Sequence, residues 1–319
     1  MKSNKVCILG GTGFVGRHLV AQLSARGVQC IVPTRHPQRH RNLQVAGLAE
    51  LVQADPFDQQ QLEQCLRGCD AAINLAGILN QGGRKLSFKR IHVELTDTLV
   101  NACKAAGVDR LLHMSALNAS EANGPSVYLK TKGEAENRAH TLGQPQIKVT
   151  SFRPSVIFGE DDSFFNRFGS LLKMAPGPFP LACPNARFAP VHVDDVVQAM
   201  LNTLDAPKTW GKHYMLCGPR SYTLKELVEY TAATLGIKKT IIGLGSGFSA
   251  LQARLLGLMP GKPFTYDNYL SMKVDSVCSE DGLKQLGIEA TCMEAVVPYY
   301  LGQGSERLRY YSLIKVQGG

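Results

Sequence analysis

Four glycines in one short run are the first residues whose spacing can do chemistry. The stretch "ILGGTGFVGRHLV" sets Gly10, Gly11, Gly13 and Gly16 between an apolar run and a helical period, and it satisfies both G-x-G-x-x-G and G-x-x-G-x-x-G. A residue without Cβ makes the tight turn, and a second lets the main chain approach a pyrophosphate. The last lets helix and strand pack closely, with the anion on the helix N-terminus. Thr12, Phe14 and Val15 complete the cradle. Such a run is informative only with a strand before it, a helix after it and further βα units beyond, and this chain supplies all three.

Some twenty residues on, the end of the second strand would face an adenosine ribose, where an acid binds the 2′-hydroxyl of NAD. Here the chain reads "VPTRHPQRHR", with no acid and with Arg35 in that place. A guanidinium takes a 2′-phosphate with charge-assisted, often bidentate bonds, so the cluster reads as a selector for NADP(H) over NAD(H). Arg35 leads it, and Arg39 and Arg41 are either helpers or a solvated charge run. A nucleic-acid patch is not expected, because no recognition motif or interleaved aromatic residues accompany it. Asp55, closing "LVQAD", either bonds an adenine amino group or serves as a turn residue. Ala76 and Gly77 in "NLAG" are small enough for a cofactor to lie against the sheet. Tyr128 and Lys132 stand one helical turn apart and so share a face.

The elements that must position these residues alternate through the first half. "KVCILGG", "VQCIVPTR", "LAELVQAD", "CDAAINLAG", "VDRLLHMSA" and "IKVTSFRPSVIFG" read as strands. Between them, "FVGRHLVAQLSARG", "QQQLEQCLRG", "FKRIHVELTDTLVNACKAAG" and "SVYLKTKGEAENRAHTLG" read as helices. Apolar rather than alternating strands argue for an α/β fold, a Rossmann-type doubly wound parallel sheet covered on both faces. The expected division is a dinucleotide-binding core over 1–160, completed by 187–218. A smaller, mostly helical substrate or partner region covers 161–186 and 219–319. Within it "DDSFFNRFGSLLKMAP" reads as helix and "GPFPLACPN" as a Pro-rich loop. "VHVDDVVQAMLNTL" is a helix behind a short strand, and "HYMLCG" is a strand.

The bulk properties agree with a folded soluble chain: 319 residues, 44% hydrophobic, 19% charged. The net charge of +9 favours anionic partners without choosing among them. Nine cysteines without a C-x-x-C pair, several inside apolar runs, are read most simply as thiols in a reducing compartment. No secretory segment and no spanning stretch is expected, which suggests a cytoplasmic protein, peripheral at most at the inner face of a membrane.

With G-x-x-G-x-x-G, "NLAG" and "SVYLKTKGEAE" in chain order, the sequence resembles the short-chain dehydrogenase/reductase superfamily, in its extended and atypical branches, over most of residues 5–220. The resemblance implies that Tyr128 is a general acid/base and that Lys132 holds the nicotinamide ribose and lowers the phenol pKa. "FRPSVIFG" resembles the segment beside the nicotinamide, which implies cofactor contacts for Pro154 and Val156. The combination of "LLHMSAL", "YLKTKGEAE", "RPSVIFGEDDSFFNRF", "VHVDDV" and "VDSVC" is most similar to the group related to the NADPH-binding 39 kDa accessory subunit of respiratory complex I. Two departures stand out. Ala116 occupies the usual serine or threonine position, with Ser115 one residue earlier and so on the opposite strand face, and His92 replaces a frequent asparagine. Ser115 with Tyr128 and Lys132 is the catalytic set to examine, because two hydroxyl donors normally polarise the substrate oxygen.

Two functions stay open on these residues. One is a binding protein that keeps NADPH as ligand beside a membrane complex or biosynthetic partner. The other is an active NADP(H)-dependent oxidoreductase or epimerase acting on a sugar nucleotide, isoprenoid or quinone-linked compound. Arg167 and Arg187 are candidates for an anionic substrate or else surface ion-pair residues. His92, His113, His192 and His213 lack metal spacing and read as packed side chains, so no metal is expected. Asp161 and Asp162 read as helix openers. "GFSALQARLLGLMPG" (247–261) reads by default as a helix packed into a core, and alternatively as one lying on a membrane surface.

Overall fold

Each strand of the first half lies within an expected apolar run, starting at most two residues into it, and most helices carry a local stop or start signal. The computed structural model describes residues 3–83 and 86–302. Its elements run β1 (Lys5–Leu9), α1 (Phe14–Ala25), β2 (Gln29–Thr34), β3 (Ala49–Gln53), α2 (Gln59–Leu66), β4 (Ala71–Asn74), α3 (Leu95–Ala106), β5 (Arg110–Met114), α4 (Val127–Gly143) and β6 (Lys148–Pro154). Then follow β7 (Ile157–Phe158), α5 (Phe165–Met174), β8 (Phe179–Leu181), β9 (Arg187–Phe188), β10 (Val191–His192), α6 (Val193–Leu204), β11 (His213–Leu216) and β12 (Tyr222–Thr223). The last are α7 (Leu224–Thr234), β13 (Ile241–Gly243), α8 (Ser246–Gly257), α9 (Tyr266–Ser271), α10 (Gly282–Gln285) and α11 (Val297–Leu301). Asp58 caps α2 by accepting from the Gln60 and Gln61 N–H groups, and Ser126 caps α4 through the Leu129 N–H.

The chain divides into two units, and the first comprises residues up to Pro154 with Asp194–Leu216 and Ser279–Glu289. Its sheet has seven strands in the order β11-β6-β5-β4-β1-β2-β3, and every neighbouring pair is parallel. Strand order reverses between β1 and β4, and the crevice at such a switch point is where open α/β sheets bind ligands. Leu62, Leu66, Leu99, Val100 and Leu111 form a buried cluster on one face of the sheet with Cys7, Cys65, Cys69 and Cys103. Burial pushes the Cys103 thiol up to about 12, so it behaves as a small hydrophobe. Residues 279–289 belong here rather than to the smaller region because α10 sits directly on β11. A Cβ at Gly282 would stand 2.3 Å from the Met215 carbonyl oxygen.

The second unit comprises Ser155–Val193, Cys217–Cys278 and the chain from Ala290 on. It contains three two-stranded pairs: β10 with β7, β12 with β9, and β13 with β8. Phe158, Phe165, Leu227 and Val297 form one buried cluster, and Leu172, Leu181, Leu224 and Val228 form another. Several expectations are corrected here. The Pro-rich loop contains β8, whose parallel partner β13 lies too far along the chain for local spacing to reveal. "IKVTSFRPSVIFG" is not one strand, since β6 ends at Pro154 and β7 resumes at Ile157. Residues 187–193 fall in this unit because β9 pairs with β12 and β10 with β7. Cys217 and Cys278, 61 positions apart, form a disulfide with Cα atoms 6.0 Å apart, against the reading of the cysteines as free thiols. The default reading of 247–261 also fails. Only Ser249 and Ala253 of α8 are buried, while Phe248, Leu251 and Leu255 are exposed. Among the described residues no helix is long and apolar enough to cross a membrane.

One buried cation ties the first unit together. Arg110, 5% exposed, donates from Nε to the Leu204 carbonyl and from Nη1 to the Lys148 carbonyl. Its Nη2 donates to the Thr203 carbonyl and to the Thr150 and Thr209 hydroxyls, so one fork joins β5, β6 and the end of α6. Burial lowers its pKa to about 10, which still leaves it charged at neutral pH. Arg110→Met would leave several buried acceptors unpaired and should cost about 3 kcal/mol or more of unfolding free energy. The urea midpoint checks this, and a loss below about 1 kcal/mol would mean that water replaces the guanidinium.

Candidate functional site

The glycine turn lies between β1 and α1, on the carboxyl side of the sheet. Gly10 has φ +81°, and a Cβ there would stand 2.9 Å from the Ala76 nitrogen in the loop after β4. A Cβ at Gly16 would fall 2.4 Å from the Gly10 carbonyl oxygen, so the first turn of α1 presses against the loop that precedes it. The Gly11 and Gly13 N–H groups close the turn onto the Ile8 and Gly10 carbonyls. Helix α1 starts at Gly13 with no side-chain cap and no acid in its first turn. Thr12, Phe14 and Val15 at its rim are half-buried. A cradle that any Cβ would fill, opening on an uncapped helix N-terminus, fits a pyrophosphate.

At the far side of β2 the chain turns at Arg35, which is exposed, as are Arg39 and Arg41 on the short helical stretch Pro37–Ala46. No acid occurs between Thr34 and Glu50. Asp55 is exposed beyond β3; its Oδ1 accepts from the Phe57 N–H at 3.1 Å and its own N–H donates to Gln61 Oε1. That is turn geometry.

Beneath the loop after β4 lies a buried polar network. Asn74, ending β4, donates from Nδ2 to Thr96 Oγ1 at 3.1 Å and lies 3.3 Å from His113 Nδ1. Its Oδ1 accepts from the Ala76 N–H and so shapes the Ala76–Gly77 bend. The expected single helix before β5 opens with a π-helical turn over Lys89–Glu94, which carries His92 inward. Such turns are frequent at functional sites. The Ile78 N–H donates to His92 Nε2 at 3.3 Å, which assigns the ring proton to Nδ1, 2.9 Å from Thr131 Oγ1. Burial, then the neighbouring Lys132, lowers the His92 pKa to about 3, so the ring is neutral at physiological pH.

Tyr128 and Lys132 lie on α4, as their spacing requires. Lys132 is buried and donates from Nζ to the Met114 carbonyl at 2.8 Å, and a Cβ on Gly77 would stand 3.3 Å from the same nitrogen. Burial lowers its pKa to about 8, partly offset by Glu136, which pairs with Arg153 at 3.0 Å. Tyr128 is half-buried, held edge-on by Phe88 at 5.7 Å and His92 at 5.5 Å between ring centroids. The third expected member does not join them in the same way. Ser115 is buried and its Oγ has no hydrogen-bond partner among the described residues, while the neighbouring Ala116 offers no hydroxyl.

The remaining expected residues are dispersed. Pro154 closes β6 and its carbonyl accepts from the Leu117 N–H. Val156 lies in the second unit, where its carbonyl accepts from Val191. Arg167 donates from Nη2 to the Lys262 carbonyl, and exposed Arg187 donates to Ser221 Oγ; both are in the second unit. Asn74, Thr96, Thr131 and His113 were not singled out as site residues by spacing. Only the asparagine in "NLAG" carried a signal, because polar residues scattered over four elements meet only in the fold.

Comparison with known proteins agrees with this geometry. Residues 6–217 match the model of the NAD dependent epimerase/dehydratase family. The rat (Rattus norvegicus) NADH dehydrogenase [ubiquinone] 1 alpha subcomplex subunit 9, mitochondrial, is 30% identical over 296 residues, covering 90% of this chain and 77% of the rat protein. Among solved structures, MoeE5 in complex with UDP-glucuronic acid and NAD superposes with a TM-score of 0.73 at 19% identity, over 95% of this chain and 99% of that one. NADPH-dependent quinone oxidoreductase QOR2 complexed with NADPH, from Escherichia coli, superposes with a TM-score of 0.72 at 21% identity, over 91% and 97%. The glycine cradle at the β1/β4 switch point, the seven-stranded parallel sheet and the matched span together place this chain in the NAD dependent epimerase/dehydratase family, with the alpha subcomplex subunit 9 proteins among its relatives.

Proposed function

We propose that the chain keeps NADP(H) as a firmly held ligand and serves as an accessory protein of a membrane-bound respiratory or quinone-linked assembly, on the cytoplasmic side. The observation that carries this reading is the missing second hydroxyl: Ala116 in the usual donor position, with Ser115 Oγ buried beside it. Similarity to the rat alpha subcomplex subunit 9 supports the same reading. The glycine cradle and the N-terminus of α1 would hold the pyrophosphate, and Ala76 and Gly77 would border the coenzyme where β4 ends. Lys132 would face the nicotinamide ribose, and Pro154 would flank the ring. Arg35, with no acid near it, favours the 2′-phosphorylated form.

A second reading is favoured by Tyr128, which stays half-buried one turn from Lys132 with its ring fixed by Phe88 and His92. When bound, the nicotinamide supplies a hydride donor or acceptor. Tyr128 would then move a proton at the substrate oxygen, with the Lys132 ammonium favouring the phenolate. A single hydroxyl donor would have to do the polarising that a pair does in extended enzymes.

The experiment that separates the two follows NADPH through desalting and then challenges it with carbonyl and quinone panels, in wild type and Tyr128→Phe. Retention without oxidation in both forms is expected; substrate-dependent loss of the reduced-nicotinamide absorbance, abolished by Tyr128→Phe, would establish the enzyme instead. In a separate titration NADPH should bind roughly ten- to a hundredfold tighter than NADH, a preference that Arg35→Glu reverses or abolishes. Equal affinities in wild type would refute the role of Arg35.

The buried ammonium yields a stability prediction of its own. Native Lys132 releases its proton at about 8, whereas the unfolded chain holds it to 10.5. Between those values the unfolded state binds more protons, so this group makes stability rise with pH across the window. Relative to Lys132→Met, wild type should gain up to roughly 3 kcal/mol from the lower to the upper end. Parallel pH profiles in urea unfolding would contradict the shifted pKa.

A further inference from the structure

Helix α8 distributes its side chains against the usual rule. Its buried positions are the small ones, Ser249 and Ala253, and the Ser249 hydroxyl accepts from the Cys183 N–H and donates to the Leu244 carbonyl. Gln252 fixes the same helix by donating to the Pro180 carbonyl. Phe248, Leu251 and Leu255 project away from that anchor, and Leu258 and Met259 continue the stripe just beyond the helix end. Their exposures are 69%, 51%, 58%, 86% and 51%. At 3.6 residues per turn, Phe248, Leu251 and Leu255 fall within roughly 60° of arc, and that arc is centred roughly 150° from the buried pair. Five large apolar side chains on one contiguous stretch are not the singly scattered residues of an ordinary surface.

The charge around the stripe selects its occupant. From Tyr230 to Asp267 the chain carries Lys238, Lys239, Arg254 and Lys262 against one acid, Asp267, and Lys239 donates to the Leu172 and Ala175 carbonyls. Arg254 is exposed at the edge of the stripe, its guanidinium 5.1 Å from the Tyr266 ring centroid. Tyr266, which opens α9, is itself 39% exposed. An apolar face with an exposed arginine and an exposed tyrosine at its edge, on a stretch of net positive charge, matches the layering of a bilayer surface: acyl chains below, anionic headgroups around, an aromatic at the boundary.

We propose that α8 with Leu258 and Met259 docks this chain onto an anionic phospholipid bilayer, lying in the plane of the headgroups. Phe248, Leu251, Leu255, Leu258 and Met259 enter the acyl boundary, and Arg254 stays at headgroup level. This placement is independent of the coenzyme reading, since every residue it uses lies in the second unit and outside the glycine cradle.

The test is flotation of the purified full chain with vesicles of equal parts phosphatidylcholine and phosphatidylglycerol, and with phosphatidylcholine alone. The chain should float with the mixed vesicles, less with the neutral ones, and less again as salt is raised. Leu251→Asp/Leu255→Asp should lower the bound fraction about tenfold or more, and Arg254→Ala should lower it mainly on the anionic vesicles. Because these side chains are already in water, the variants should keep the wild-type thermal transition and coenzyme affinity, which separates lost docking from lost folding. Absence of flotation, or flotation that Leu251→Asp/Leu255→Asp leaves unchanged, would overturn the proposal. So would a wild-type dimer that ignores vesicles and becomes monomeric in that variant, which would make the stripe a contact between protein copies.

Discussion

The closeness of two main-chain turns governs the first unit: the one after β1, at Gly10, and the one after β4, at Leu75–Ala76. A Cβ on residue 10 would meet the Ala76 nitrogen and the Leu75 carbonyl carbon, both at 2.9 Å, and one on residue 16 would enter the Gly10–Gly11 main chain. Side chains can rotate out of such contacts, but the main-chain atoms of two packed turns cannot. The contact therefore fixes the height of α1 over β1 and the path of the loop that carries Ala76 and Gly77. Asn74 secures that loop from beneath by accepting the Ala76 N–H. With Gly13 at the N-cap, the α1 N-terminus has no side-chain cap, so its N–H groups are directed at whatever occupies the cradle.

Below that crevice the electrostatics reduce to one cation. Three titratable bases, His92, His113 and Lys132, are buried there; burial lowers the His113 pKa, and positive charges on both His92 and Lys132 in so dry a space would repel each other strongly. The fold keeps His92 neutral: burial and Lys132 hold its pKa at about 3, and a main-chain N–H occupies the nitrogen that would take the proton. The π-helical turn at Lys89–Glu94 is what brings the ring to that position. His92 also helps to fix the Tyr128 ring and so performs a positioning task. Glu136 moderates the burial of Lys132, but its carboxylate is committed to Arg153, and the ammonium finds a carbonyl of β5 rather than an ion-pair partner.

Legibility in the sequence followed the range of the interactions. The glycine turn, the apolar parallel strands and the Tyr128/Lys132 spacing are local patterns, and the doubly wound parallel class follows from them, whereas the order of the seven strands is seen only in the fold. Long-range pairings were not. β8 is hidden in a Pro-rich run because its partner β13 supplies the hydrogen bonds, and the Cys217–Cys278 bond joins positions whose neighbours give no hint of one another. The same limit hid the network of Asn74, Thr96, His113 and Thr131, each an unremarkable polar residue on its own element. For 247–261 the failure was of another kind. Hydrophobic composition says that a segment avoids water, but not whether it does so inside its own chain, and the small residues Ser249 and Ala253 proved to mark the inward face.

These observations separate holding from polarising. The groups expected to hold a coenzyme are bound into the fold by steric closeness and buried hydrogen bonds, so substitution at Gly10, Gly16 or Lys132 disturbs packing as well as any site. The hydroxyl missing at Ala116 has no such tie. A methyl group in a buried position satisfies itself, whereas a hydroxyl there needs a partner, as the unpartnered Ser115 Oγ beside it illustrates. Physical selection on the folded state alone would therefore preserve the cradle and tolerate an alanine at 116. A chain whose task is to keep a dinucleotide in place meets that constraint fully, while a chain that must polarise a substrate oxygen needs the second donor from some other residue.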